Sequence, residues 1–206
     1  MKHIWSHYVK LTAVAAMIAA GFTHAVQADP YTPYRGEDGI YHYDWFHQSF
    51  LEFEGDIQDA QDEGLSLLVK FDQKGCIYCE KMALEIFAEP AINDYMRANF
   101  LVVQLDLFGN RDVTDLDGTT MAENELAQKW GVIFTPTIYF VKEQGEAQTL
   151  PEAAIAQMPG AFGKLTFMGM LKWVHEGHAE KGEPFQKYLN NNMADIRAAL
   201  KAARAS

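Results

Sequence analysis

Cys76 and Cys79 are the only cysteines in a chain of 206 residues, and just Ile77 and Tyr78 stand between them. A C-x-x-C pair can close a disulfide and reopen it, so the first chemistry this spacing offers is thiol–disulfide exchange. Other uses of such a pair leave their own marks. A c-type haem attachment site carries His directly after the second cysteine; this chain has Glu80 there. A structural zinc site takes four ligands, and no second Cys/His cluster of suitable spacing is present. A purely structural bridge remains open, although closing so small a loop constrains the unfolded chain little.

The flanking residues say how the pair is held. Before it runs Leu65-Ser66-Leu67-Leu68-Val69-Lys70-Phe71, apolar, partly β-branched and of strand length. After it Met82, Ile86 and Phe87 recur at helical spacing until Pro90. The pair therefore sits where a strand gives way to a helix, with Cys76 in or near the first turn. Unpaired backbone N–H groups and the positive end of the helix dipole favour a thiolate there. Such a position lowers a cysteine pKa from about 8.5 to between roughly 3.5 and 7.5. Cys76 reads as the exposed nucleophile and Cys79, one turn deeper, as the resolving thiol.

The first 28 residues read as a secretory signal. Lys2 and Lys10 form a basic start, residues 11–22 are apolar and Ala-rich but too short to span a bilayer, and Val26-Gln27-Ala28 offers a cleavage site, with cleavage after Ala25 as the competitor. A secreted chain meets an oxidising compartment, which suits a cycling dithiol; the bacterial periplasm is the expected location. Residues 29–206 suffice for one domain, with its core over about 45–190. Seventeen basic and 28 acidic side chains give a net charge of −11, and loss of the leader's two lysines makes it −13. That balance argues against nucleic-acid backbones and anionic membranes as partners. A monomer and no cofactor are expected.

Along the rest of the chain, an irregular arm over 29–43 with a short strand at 39–43 precedes an amphipathic helix over 45–62, stopped by Glu63-Gly64. After the cysteine helix, Pro90 breaks the pattern and a further helical piece covers 91–99. The apolar run 100–107 reads as a buried central strand. Residues 109–119 read as a polar loop: Asp112, Asp115 and Asp117 faintly suggest a calcium loop, but Val113 and Asn124 occupy its first and twelfth ligand positions. A short helix over 120–130 ends at Gly131. Pro136 cannot donate to a ladder and belongs at a strand's start, so the strand is 137–141, followed by a turn at 142–146 and a return strand. Residues 151–163 stay ambiguous. A helix around Leu165 to Val174 ends at Glu176-Gly177, 185–189 is a short anchoring segment, and 194–203 a weakly amphipathic tail helix.

A strand, a C-x-x-C opening a helix, then an X-Pro strand continuing into a hairpin and helix resembles the thioredoxin fold: a central mixed sheet flanked by helices, here with N-terminal and C-terminal helical extensions. The residues carrying the likeness are Gly75-Cys76-Ile77-Tyr78-Cys79 and Gly131-Val132-Ile133-Phe134-Thr135-Pro136-Thr137. The resemblance implies a redox-active Cys76–Cys79 disulfide and a cis Thr135–Pro136 bond beside it, leaving the Thr135 backbone to pair with a substrate strand. Gly75-Cys76-Ile77-Tyr78-Cys79-Glu80-Lys81-Met82, Met158-Pro159-Gly160 and Phe185-Gln186-Lys187-Tyr188-Leu189 are further similar to the periplasmic SoxW-type thioredoxins of sulfur oxidation. That likeness implies electrons received from a CcdA-like membrane thiol transporter and passed to a disulfide on a Sox partner, such as the sulfur-carrier protein.

The chain departs from ordinary thioredoxins in having Gly75 before the first cysteine and Ile77-Tyr78 between the two. The family's buried aspartate falls on Lys70, which cannot accept a proton; Asp72 and Glu80 are the candidate substitutes. Rival functions are a disulfide oxidase or isomerase, and a Cu(I) carrier using the two sulfurs with His175 or His178 nearby.

Overall fold

The structure is a computed structural model that describes residues 31–203; the expected signal segment and its cleavage sites lie outside them. The chain runs as β1 (Tyr34–Arg35), β2 (Tyr41–His42), α1 (Phe53–Asp62), β3 (Ser66–Asp72) and α2 (Ile77–Lys81), which continues as a π-helical stretch, Met82–Phe87. Then follow α3 (Pro90–Asn99), β4 (Phe100–Asp106), β5 (Asp112–Thr114), β6 (Thr120–Ala122), α4 (Glu123–Lys129), β7 (Thr137–Val141), α5 (Leu150–Ala153), β8 (Ala154–Pro159), α6 (Lys164–His175) and α7 (Phe185–Ala202). Among the described residues no helix is long and apolar enough to cross a membrane.

Four strands form the central sheet in the order β4-β3-β7-β8. β3 runs parallel to β4 and antiparallel to β7, and β7 runs antiparallel to β8, so the sheet is mixed as expected. Side chains alternate across it. Leu67, Val69 and Phe71 join Phe53, Ile57 and Leu126 on the face covered by α1 and α4. Leu68, Ile138 and Phe140 join Met82, Phe87, Phe167 and Ile196 on the face covered by α2, its π-helical continuation, α3, α6 and α7. Both faces are buried, which explains why the strand sequences read as continuous apolar runs rather than alternating ones.

Four expectations are corrected. β4 is not central but at the sheet's edge; it reads as central because helices bury both its faces and the N-terminal arm closes its free side. The His47 amide donates to the Val102 carbonyl (2.9 Å), and an Arg111 Nη donates to the Gln104 carbonyl (3.0 Å), pairing groups an open edge would leave bare. The helix expected over 45–62 begins only at Phe53: Leu51 has φ 61°, and Phe46 turns into the core with Trp45 packed against it. The expected loop 109–119 instead contributes β5 to a hairpin with β6, Asp112 opposite Ala122. The two C-terminal pieces are one 18-residue helix, α7. It lies close on α6 because Gly169 has no side chain; a Cβ there would sit 2.6 Å from Leu189 Cδ1.

That last correction is testable. Ile196 on α7 is fully buried against the sheet-side core, so Ile196→Ala should cost about 2–5 kcal/mol in urea unfolding. A loosely held tail would lose no more than about 0.5 kcal/mol.

Candidate redox site

The site stands at the end of the sheet where β3 finishes. The chain leaves Asp72 through a tight turn, in which the Cys76 amide donates to the Gln73 carbonyl (3.3 Å). Gly75 takes φ 75° in that turn, a left-handed conformation that glycine adopts without penalty. No atom lies within 4 Å of where its Cβ would be, so the demand is on the backbone and not on space.

Cys76 then caps α2 with an extended backbone, and its Sγ accepts the Cys79 N–H at 3.0 Å. Cys79 lies in the first turn and is only 6% exposed. The two form a disulfide with Cα atoms 5.2 Å apart. When the bridge opens, the same N–H faces the Cys76 sulfur and stabilises it as a thiolate, together with the helix start.

The antiparallel pairing of β3 with β7 places Phe71 opposite Thr137, which brings the residues just before β7 to the residues just after β3. The Thr135–Pro136 bond is cis, and the Thr135 carbonyl oxygen is 3.4 Å from Cys76 Sγ. The ladder starts at Thr137, leaving the Thr135 backbone outside it. The Gly160 amide donates to the Pro136 carbonyl (2.7 Å) and the Thr137 hydroxyl to the Phe134 carbonyl (2.8 Å). Cys76, Cys79, Thr135 and Pro136 are thus gathered in one place, and Met158-Pro159-Gly160 lies beside them.

Around the sulfurs the surface is apolar. Ile77 (71% exposed) and Tyr78 (59%) flank one side, and Ile133 (75%) and Phe134 (61%) precede Thr135 on the other. Exposed apolar groups clustered at one spot mark an interaction surface.

Two features of the site were not legible in the residues alone. The first is the β1–β2 hairpin. Ile40 and Tyr41 stand with Asp72, Cys76, Cys79 and Glu80 around a cavity of about 20 Å3, and the Tyr41 hydroxyl donates to Glu80 (3.2 Å). Its sequence, rich in Pro, Gly and charge, carries no pattern that points at the cysteines. The second is the burial of Lys70 and Asp72. Lys70 Nζ donates to Asp72 Oδ2, as does Gln104 Nε2. Period two along β3 was the available signal, since it puts both on the face of Leu68.

Other flagged residues lie elsewhere. His175 packs on Tyr95 and Phe100; Phe100 opens β4, at the opposite end of the sheet from the disulfide. Asp115 is held by Lys129 Nζ, the Trp130 ring N–H and the Leu116 and Leu150 amides. Among the described residues no cluster of three or more His, Cys, Asp or Glu is placed to hold a metal.

The sequence model of the thioredoxin-like domain family matches residues 53–163, more than half of the chain. Among curated proteins none matches the sequence. Twenty chains of solved structures match it, among them the following three. A thioredoxin-fold protein from Helicobacter pylori shares 21% identity over 69% of this chain and 86% of its own, with a TM-score of 0.42. A thioredoxin from Thermus thermophilus shares 22% over 64% and 90%, with 0.49. A DsbH oxidoreductase shares 13% over 62% and 84%, with 0.42.

The geometry predicts unequal thiols. After reduction, Cys76 should be alkylated by iodoacetamide at neutral pH at least about tenfold faster than Cys79, with a midpoint below the ordinary thiol value of about 8.5. Peptide mapping of the labelled protein reads this. Two equally slow thiols would contradict it.

Proposed function

We propose that this chain, which belongs to the thioredoxin-like domain family, is a thiol–disulfide oxidoreductase that reduces disulfides of partner proteins through Cys76 and Cys79. The observation that carries the reading is an accessible sulfur capping a helix, bonded to a buried sulfur one turn on and bordered by the Thr135 backbone and an apolar rim. The Cys76 thiolate attacks a partner disulfide and forms a mixed disulfide. Cys79 then attacks Cys76, the partner leaves reduced, and the Cys76–Cys79 bridge is restored. An extended partner segment carrying the disulfide pairs with the Thr135 backbone while its neighbours cover Ile77, Tyr78, Ile133 and Phe134.

The finer reading is a SoxW-type reductant in the periplasm, loaded by a CcdA-like membrane thiol transporter and serving a disulfide on a Sox sulfur-carrier protein. Support for it comes from the sequence likeness over 75–82, 158–160 and 185–189. The second of these segments pairs with Pro136 through the Gly160 amide, so it borders the proposed docking groove. A disulfide oxidase would use the same residues in the opposite direction, and the reduction potential separates the two. The Cu(I)-carrier alternative loses its histidines, because His175 packs at the far end of the sheet and His178, three residues on, is held by Glu183 and the Tyr188 ring.

Cys79→Ser should accumulate mixed disulfides through Cys76 when incubated with a periplasmic extract, and mass spectrometry of the captured species identifies the partner. Cys76→Ser should capture none. The reverse pattern would exchange the roles of the two cysteines.

A further inference from the structure

The β1–β2 hairpin lies outside residues 53–163, the span that matches the thioredoxin-like domain, so it is an addition laid against the redox turn. Strands of two residues each do not hold together alone in water, and this hairpin is fixed from outside. Ile40 and Tyr43 are buried, and Gln104 Nε2 donates to the Tyr41 carbonyl (3.0 Å). Lys74, just before Gly75, lays its aliphatic stem on the hairpin's turn: a Cβ at Gly39 would sit 3.0 Å from Lys74 Cγ. Arg35 pairs opposite Tyr41, so both side chains stand on one face, and the Tyr41 hydroxyl donates to Glu80, next to Cys79. That face looks onto the redox turn, and Arg35 borders the same cavity as Cys76.

Arg35 is braced but not neutralised. Its Nε donates to the Gly39 carbonyl (3.3 Å), and its guanidinium carbon lies 6.0 Å from the centre of the Tyr41 ring. No carboxylate among the described residues pairs with it; Asp38 is taken by His42, and Glu80 by the Tyr41 hydroxyl. The side chain is exposed, and its two Nη groups keep the planar fork that suits a carboxylate. A chain of net charge −11 repels acidic partners in general, so an unpaired guanidinium held at the mouth of the redox site discriminates among them. We infer that Arg35 selects the partner, binding the carboxylate of an Asp or Glu beside the disulfide cysteine of the partner's extended segment; this rests on the thiol–disulfide reading above. Thr135 comes from the β7 side of β3, whereas the hairpin is tied to Gln104 of β4. The two therefore grip the segment from opposite sides of Cys76. The exchange itself is the one already given: Arg35 touches the partner's carboxylate and none of the sulfurs.

Two peptide disulfides test this. Each is a symmetrical dimer, and they are alike except that the cysteine is flanked by Glu in one and by Gln in the other. Their reduction by the reduced full-length protein is followed at low salt by acid quench and chromatography. Arg35→Gln should lower the ratio of the Glu-peptide rate to the Gln-peptide rate about tenfold, the loss of one charge-assisted contact within reach of water. Arg35→Lys, which keeps the charge without the fork, should retain part of the wild-type ratio. A ratio that Arg35→Gln leaves unchanged overturns the assignment. So does equal slowing of both peptides, which would mean that Arg35 acts on the Cys76 thiolate or on the folding of the hairpin. Failure of the wild-type protein to reduce either peptide would instead sink the oxidoreductase reading itself.

Discussion

The register of β3 between its two neighbours is the constraint on which the site depends. β3 pairs along its whole length with β4, from Ser66 opposite Phe100 to Asp72 opposite Asp106, and on its other edge with β7 from Leu67 to Phe71. A one-residue slip would turn every side chain to the other face, putting Lys70 and Asp72 against α1 and moving Leu67 and Val69 under α2. It would also shift Thr137, and with it Thr135, away from Cys76. The apolar residues on both faces forbid this, since each would trade a packed apolar site for one shaped for its neighbour. The redox pair is precise because a central strand with no free edge delivers it.

What surrounds that strand serves mainly to keep it covered. The arm before α1 closes the free side of β4 through the His47 amide and sends Tyr43 into the core, where its hydroxyl donates to the Ala83 carbonyl at 2.7 Å. Ala83 lies in the π-helical stretch, whose wider turn alters the regular backbone pairing. Asn93 does a similar service for the Phe87 carbonyl at 2.9 Å. The segment carrying Cys79 is therefore anchored at both ends of its irregular part. On the opposite flank α7 docks on α6 over Gly169, so the long C-terminal helix belongs to the core.

The sequence carried the strand–cysteine–helix unit and the 137–141 strand because each has a local cause: an apolar run of strand length, a turn glycine, a proline that must stand outside the ladder. It failed where the cause is not local. Phe100–Asp106 looks central because burial depends on covering helices, not on position in the sheet. Trp45, Phe46 and Phe53 suggest one helix face, yet a positive φ at Leu51 breaks the path, and nothing in a leucine announces that. Cys76, Cys79, Thr135 and Pro136 converge because two strands are antiparallel neighbours, a fact that spacing alone does not contain. The family likeness put Lys70 in the place of the buried aspartate and offered Asp72 and Glu80 as its substitutes; the burial of Asp72, its lysine partner and the hairpin beside it are properties of the folded chain.

The two sulfurs are chemically alike and structurally unequal, and that inequality arises from one turn of helix. At the cap, Cys76 has an extended backbone, meets solvent and receives the Cys79 N–H. Three residues on, Cys79 is turned inward beneath the hairpin, where a partner's disulfide cannot reach it. Helix-start electrostatics lower the energy of an anion on the first sulfur, whereas burial raises it on the second. The first therefore suits attack on an outside disulfide. The second suits a proton-coupled attack made only once a bond to Cys76 is in place. A nucleophile that waits in the open and a resolving thiol buried one turn on impose an order on the two exchanges without any moving part, and this is why the burial of Cys79 belongs to the site as much as the exposure of Cys76 does.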